Sequence, residues 1–417
     1  MPKRRTDRGA PRRDAAPWHP IRVVRVDVDA RVIEGTELGA PGDRLWVEAV
    51  RAGQVVGLVE TRLEAARPAE RLLDDVTSVV GADPPEADGP AVADAALGTA
   101  TVVVPTILGR PDQLAATIGS LDAMDYPDFE IVVVDNRPGP SPGAPLAFDD
   151  HPRVRVVREP VPGISSARNR GVAASTAELV AFTDDDAVVD VGWLRALGER
   201  FAREPEVDAL GGLVLPRELD TEPQLWFEEY YGGFSQSFHR STVSLSRTTG
   251  DPLFPYAPGR FGAGCNMAFR RTAFERFGGF DPTLGTGTPA RGGEDLAMFI
   301  GLITRGGTMG FEPSAVVRHS HRRSEAEFLA QVRSYGVGLA AMYTSLVVRD
   351  PSTVLELARR VPAGVRLLAR PGNGRAPSEL PSYPRRALAW QLAGMAIGPL
   401  AYARSWSRDR RRRRGSA

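Results

Sequence analysis

Leu179-Val180-Ala181-Phe182-Thr183-Asp184-Asp185-Asp186 decides how this chain is read. Four apolar residues run into three adjacent carboxylates. A short, continuously apolar run fits a strand covered on both faces. Acids side by side repel one another, and a fold keeps them at a strand end where positive charge compensates them. A divalent cation with oxygen ligands does this most economically, and such a cation in turn binds phosphate.

Working outward, Thr101-Val102-Val103-Val104-Pro105-Thr106 is a second β-branched run, stopped by proline. Arg110-Pro111-Asp112-Gln113-Leu114 then opens a helix with Ile118 and Leu121 on one face. Phe129-Glu130-Ile131-Val132-Val133-Val134-Asp135-Asn136 and Val154-Arg155-Val156-Val157 add two more strands. Strands alternating with helices imply right-handed crossovers and a parallel sheet, with the ligand site at the carboxyl ends of its strands. Thr106, Asp135 and Asp184 to Asp186 all stand at such ends.

The remaining composition narrows the function classes. The chain has 417 residues, 42% hydrophobic and 25% charged, with a formal net charge of zero. That describes a globular protein with one large domain and smaller appendages. Both ends are basic, with Lys3, Arg4, Arg5, Arg8, Arg12 and Arg13 at the front and Arg408 and Arg410 to Arg414 at the back. These arms read as disordered solubilising tails, the other reading being contact with nucleic acid or an anionic membrane; no nucleic-acid partner is expected. A single cysteine, Cys265, excludes an internal disulfide framework and a cysteine-ligated zinc site. No apolar segment follows the basic N-terminus, so the expected compartment is the cytoplasm.

Around residues 21–59 the pattern has period two, with a hairpin expected about Ala52-Gly53. Its acids and arginines fit no catalytic spacing, and a structural or partner-binding role is assigned. Ser324-Glu325-Ala326-Glu327 is a capping box opening a helix to about Val348. Residues 387–403 carry no charge and precede the arginine cluster. They are a marginal candidate for a membrane span, being near the lower limit of about 17 residues; burial against the main domain or an interfacial anchor on the inner face of a membrane are the other readings.

Six stretches stand in order: Val102 to Thr106, Ile131 to Asn136, Gly163-Ile164-Ser165-Ser166-Ala167-Arg168-Asn169-Arg170-Gly171, Phe182 to Asp186, Gly264-Cys265-Asn266-Met267-Ala268-Phe269-Arg270-Arg271, and Gly292-Gly293-Glu294-Asp295-Leu296. Together they resemble the family 2 glycosyltransferases, over about residues 100–325. The resemblance implies the GT-A fold, an α/β, Rossmann-like mixed sheet flanked by helices that binds a nucleotide-diphosphate sugar. The corresponding organisation is a basic arm at 1–18, a β-rich accessory module at 19–80, a linker at 81–98 and the GT-A catalytic domain at 99–325. C-terminal helices at 326–370, a linker at 371–384, and an apolar helix with an Arg-rich tail at 385–417 complete it.

What the resemblance implies residue by residue agrees with the chemistry of each side chain. Pro105, Thr106, Arg110, Asp135, Asn136, Arg168, Asn169, Asp184 and Asp185 fall where the family binds the nucleotide sugar; a carboxylate accepts from ribose hydroxyls or a base N–H, and a guanidinium pairs with phosphate. Asp186, with Asp184 and His319, falls where it holds Mg²⁺ or Mn²⁺, hard cations suited to oxygen ligands and a diphosphate. Asp295 takes the place of the general base that accepts the acceptor hydroxyl's proton, with Glu294 holding the acceptor. A plain helix N-terminus complementing the dipole is the other reading of that pair. Gly264, Cys265, Asn266 and Trp226 are the candidates facing the donor sugar or acceptor, although the aromatic stretch around Trp226 equally reads as a packed loop. Cys265 reads as a buried small side chain, since no histidine is placed to activate it.

The expected activity is therefore an inverting, metal-dependent sugar transfer from a UDP-, dTDP- or GDP-linked donor to a glycan or lipid-linked acceptor, in cell-surface polysaccharide or glycoconjugate synthesis. A nucleotidyltransferase, a non-catalytic assembly scaffold of the same fold and a metal-dependent hydrolase are the alternatives. Pro105-Thr106 stands where a nucleotidyltransferase would place a Gly-rich basic loop, and a scaffold has little use for both acid clusters.

Overall fold

The computed structural model describes residues 18–34, 38–64, 67–81, 91–139, 148, 151–234, 237–257, 259, 261–368, 384 and 386–415. All of the expected basic arm except Trp18, and most of both linkers, lie outside these residues. The described end of the first linker, 91–98, makes one turn at Asp94–Ala96 and sends Leu97 into the core.

Four short strands come first: β1 (Arg22–Asp27), β2 (Val32–Glu34), β3 (Arg44–Arg51) and β4 (Gln54–Arg62), followed by helix α1 (Pro68–Val80). They form one sheet in the order β2-β1-β3-β4, and the expected hairpin is present as β3 and β4. The large sheet follows with β5 (Ala100–Thr106), α2 (Pro111–Asp122), β6 (Phe129–Asp135), β7 (Val154–Arg158), α3 (Ile164–Ala174), β8 (Leu179–Phe182) and β9 (Ala187–Val189). It continues through α4 (Trp193–Arg203), β10 (Ala209–Pro216), α5 (Glu222–Trp226), β11 (Ser241–Val243), β12 (Met267–Arg270), α6 (Arg271–Phe277), α7 (Glu294–Thr304) and β13 (Met309–His319). Three helices end the chain: α8 (Glu325–Arg349), α9 (Thr353–Leu368) and α10 (Arg386–Gly415).

The strand order is β11-β13-β10-β12-β8-β5-β6-β7, with β9 added against β13. One half, β7-β6-β5-β8, is parallel, as the alternation of strands and helices predicts. β12 runs antiparallel to both β8 and β10, so the sheet as a whole is mixed. This is the α/β architecture that the resemblance implies.

Period-two alternation along β5 and β6 explains their apolar runs, because each face has its own helical cover. Val102, Val104, Ile131 and Val133 pack with Leu114 and Ile118 of α2 and Leu197 and Phe201 of α4. Val103, Val132 and Val134 pack on the other face with Ala167 of α3, Phe182, Phe269 and Phe299 of α7. Two covered faces leave the strand ends as the place for polar chemistry.

The N-terminal sheet is docked on the large one. Val50 and Val55 pack with Leu213, Leu215 and Val316, and Ile21 bridges to Leu219. A charged link accompanies this apolar contact: Arg318 of β13 donates to both carboxylate oxygens of Glu48, at 3.2 and 2.5 Å, and also pairs with Asp190. Glu48 is 1% exposed, so deleting it would leave a guanidinium partly stranded. Removing one partner of a buried pair costs about 3 kcal/mol or more. Glu48→Ala is expected to lower urea stability by roughly that amount; an unchanged unfolding midpoint would mean that the apolar contact alone holds the two sheets.

At the C-terminal end the expected capping box is present, with Ser324 and Glu327 bonded reciprocally at the start of α8. The Arg-rich segment expected as a disordered tail is instead the last turns of α10 through Gly415. Among the described residues no helix is long and apolar enough to cross a membrane, which removes the spanning reading of residues 387–403.

Candidate functional site

A register match brings the acids to a histidine. After Phe182 the chain turns through Asp184, Asp185 and Asp186 into β9, which pairs with β13 so that Ala187 stands opposite His319. Asp186 and His319 are thereby neighbours, with Nε2 of His319 3.1 Å from an Asp186 carboxylate oxygen. One potential ligand atom from each of Asp184, Asp186 and His319 lies within 4.8 Å of the others. Two carboxylate oxygens and an imidazole nitrogen at this spacing could hold a divalent metal ion. The Nδ1 atom of His319 is buried and has no hydrogen-bond partner among the described residues.

The charges there compensate one another. Burial works against ionised Asp186, but His319, Arg110 and Arg322 outweigh it and hold this carboxyl well below the usual range. Burial likewise opposes a charge on His319, and Asp186 reverses that, lifting the imidazole above its ordinary value. Arg110 donates to Asp186, while Arg322 stands 3.9 Å away. Asp185 points elsewhere: it accepts from the Thr106 hydroxyl at 2.6 Å, and burial pushes its carboxyl up to about 6. Thr106 itself is fixed by the Leu108 amide at 2.9 Å. The end of β5 is thus tied to the middle acid of the triplet.

The second acid pair is joined to the first by one guanidinium. Arg168, buried in α3, donates to Glu294 at 2.7 Å, to the Gly264 carbonyl at 3.0 Å and to Asp184 at 3.3 Å. The Gly264 amide in turn donates to Asp295 at 2.9 Å. No side chain fits at Gly264, because a Cβ would lie 2.6 Å from Arg168 Nη2. Gly293 precedes α7 with φ 82°, a left-handed conformation that favours glycine and that turns Glu294 and Asp295 into the first helical turn. Glu294 is 7% exposed and Asp295 is half-buried. Burial, reinforced by Asp295, pushes Glu294 up to about 7 despite Arg168. The resemblance implies phosphate as the partner of Arg168; in the structure it lies on α3 with its guanidinium on Glu294, Asp184 and the Gly264 carbonyl.

Several expected contacts turn out to be structural braces. Asn266 is fully buried: it accepts from Trp193 Nε1 at 2.8 Å and donates to the Leu213 and Ala315 carbonyls, also at 2.8 Å. Asn169 closes a two-way bond with the backbone of Phe280, and Asn136 spends its amide on Glu159, Val161 and Gly163. Trp226 is packed with Phe328, Leu329 and Val332, so the packed-loop reading holds for it. Pro105 is a buried strand residue, and Cys265 is buried, with burial raising its thiol far from the reactive range. Asp135, at the end of β6, is gripped by Arg137 at 2.9 and 2.8 Å, which outweighs burial and lowers its carboxyl. His321 projects to the same side as His319 but pairs with Glu228 at 2.5 Å. Two residues were missed by sequence reasoning, Arg137 and Arg322, each a few positions beyond an acid or histidine already singled out; nothing in the local pattern distinguishes them from surface arginines.

The raised Glu294 carboxyl has a thermodynamic signature. Between the ordinary carboxylate range and about pH 7 the folded chain keeps a proton that the unfolded chain has released, so this group's contribution to stability falls as pH rises through that window. Glu294→Gln mimics the protonated form and removes the effect. In metal-free buffer, the Tm of the wild type relative to Glu294→Gln is expected to drop by roughly 2–5 °C from about pH 5 to pH 7.5. A pH-independent difference would place Glu294 among ordinary solvated carboxylates.

Several known proteins are similar to this chain. Residues 101–278 match the family model "Glycosyl transferase family 2". A pre-mycofactocin glycosyltransferase of Mycobacterium tuberculosis is 28% identical over 343 residues, 80% of this chain and 65% of that protein. The succinoglycan biosynthesis protein ExoM of Rhizobium meliloti is 33% identical over 237 residues, 54% of this chain and 69% of that protein. Among solved structures, a mannosyltransferase of Pyrobaculum calidifontis in complex with GDP-Man and Mn²⁺ aligns at 19% identity and a TM-score of 0.47, over 75% of this chain and 90% of the other. The chain thus spans about two thirds of the length of its mycobacterial relative, 65%. On the family match and on the relative that it covers at 33% identity, the chain belongs to glycosyl transferase family 2.

Proposed function

We propose that this chain transfers a sugar from a nucleotide-diphosphate donor to an acceptor hydroxyl, with inversion and with Mg²⁺ or Mn²⁺ bound. The observation that carries the reading is the convergence of Asp184, Asp186 and His319 at the carboxyl ends of the sheet, linked through Arg168 to Glu294 and through Gly264 to Asp295. Asp184, Asp186 and His319 would hold the cation, which when bound neutralises charge on the diphosphate leaving group. Arg110 and Arg322, with side chains 41% and 32% exposed beside Asp186, supply guanidiniums for phosphate oxygens. Thr106, Asp185 and the ion-paired Asp135 line the nucleotide end.

Asp295 takes the proton of the acceptor hydroxyl as its oxygen attacks the anomeric carbon and the bond to the diphosphate breaks. Two features favour Asp295 over Glu294 as base. Asp295 is half-exposed and oriented by the Gly264 amide, whereas Glu294 is buried against Arg168 and serves to position it. The similarity to a succinoglycan biosynthesis protein supports polysaccharide or glycoconjugate synthesis, for which a glycan or lipid-linked acceptor is the proposed class. In this reading residues 99–325 form the catalytic domain and carry the chemistry.

Thermal shift with a panel of nucleoside diphosphates tests the reading. The wild type is expected to gain stability from a UDP, dTDP or GDP addition only when Mn²⁺ or Mg²⁺ is present. Asp186→Ala should lose that gain, and Asp295→Asn should keep it while transfer to an acceptor falls by about 10²-fold or more. Metal-independent nucleotide binding, or normal turnover by Asp295→Asn, would overturn it.

A further inference from the structure

We infer that the outward faces of α10 and α9 form a docking surface for a bilayer rich in anionic lipid. On an ordinary amphipathic helix the large apolar side chains face the protein. α10 is built the other way round. Its buried positions are mostly small, among them Ala387, Gly394, Gly398, Ala401 and Ser405. These let α10 lie directly on the backbone of α8: a Cβ at Gly394 would be 2.3 Å from the Arg333 carbonyl oxygen, and one at Gly398 would be 2.4 Å from Ala340 Cβ. Leu388, Leu392, Leu400 and Trp406 face away, exposed over 43%, 48%, 53% and 43% of their surface.

Helical spacing makes this a stripe. Leu388, Leu392 and Trp406 stand four and fourteen residues apart in turn, which returns each to the same side of the helix, and Leu400 stands about 100° round on the same solvent-facing half. No charge interrupts residues 387–403. Beyond them come Arg404, Arg408 and Arg410 to Arg414 against a single acid, Asp409.

α9 repeats the arrangement. Val354, Leu355, Val361 and Val365 are exposed over 50%, 63%, 57% and 58%, with Arg359 and Arg366 alongside. Its inward Leu357 meets Tyr402 of α10 and Met342 of α8 in one small core. Both helices are therefore seated on α8, with their bulkier apolar residues turned outward.

Charge selects the occupant. A stripe of leucine and tryptophan that ends in seven arginines complements acyl chains beneath anionic headgroups. A second copy would bring a second arginine cluster, and the stripe itself presents no acid to receive it. With no described helix able to span a bilayer, the contact is interfacial. The inference stands independently of the sugar-transfer reading.

Co-sedimentation of the full chain with vesicles tests it. The protein should partition onto phosphatidylcholine vesicles containing phosphatidylglycerol, weakly onto phosphatidylcholine alone, and less as salt rises. Leu392→Asp with Leu400→Asp, both on exposed positions, should reduce partitioning by about tenfold or more without lowering Tm. Replacing Arg410 to Arg414 by glutamine should remove the preference for the anionic vesicles. Three results would overturn the proposal: no binding to the anionic vesicles, undiminished binding by the double leucine variant, or a dimer in solution that this variant dissolves, which would make a second copy the occupant.

Discussion

Five carboxylates, Asp184, Asp185, Asp186, Glu294 and Asp295, crowd one end of the sheet, and the buried Arg168 guanidinium is what allows two of the elements carrying them to meet. It reaches Glu294 at the start of α7, Asp184 after β8 and the carbonyl of Gly264 before β12. Its full burial makes the pairing obligatory, because a charge out of water without partners is costly by several kcal/mol. Asp184 and Glu294 lie far apart in sequence; a single side chain fixes their relation.

The charge balance divides into two regions with different consequences. Around Asp186, positive partners dominate and keep the carboxyl ionised, which suits a ligand for a cation. Around Glu294, burial and the neighbouring Asp295 dominate and favour the protonated form near neutrality. Asp295, next to Glu294 in the chain, is oriented by a backbone amide that cannot titrate. In the proposed function, that separation lets one acid-rich cleft hold a phosphate-binding cation at one side and accept a proton at the other.

Much of this was legible in the sequence where the signal is local. The apolar runs ending in Thr106, Asp135 and Asp184 gave strands whose ends do converge, because a parallel arrangement brings carboxyl ends together whatever the loops do. The antiparallel β12 was not legible from alternation, since strand direction depends on where the long excursion after β10 returns. Polar side chains were the harder case. Asn266, Asn169 and Asn136 look like ligand contacts in a motif, yet each is consumed by backbone groups distant in sequence. Trp226 has the composition of a sugar platform and is packed under α8. Arg322 was invisible for the opposite reason: it is one arginine of many, and only the fold puts it beside Asp186. The basic C-terminus read as a solvated tail because charge alone suggests solvent, whereas α10 continues as helix through Gly415 with its arginines exposed.

The central claim is that Asp184, Asp186 and His319 together hold one divalent cation. Anomalous diffraction at the manganese edge, from crystals grown with Mn²⁺ and a nucleoside diphosphate, addresses it directly. The expected result is a single peak bounded by these three side chains and the diphosphate, with ligand distances of about 2.0–2.3 Å and Arg110 turned from Asp186 to phosphate. A peak elsewhere, or nucleotide bound with Arg110 still on Asp186 and no manganese between the acids, would contradict it.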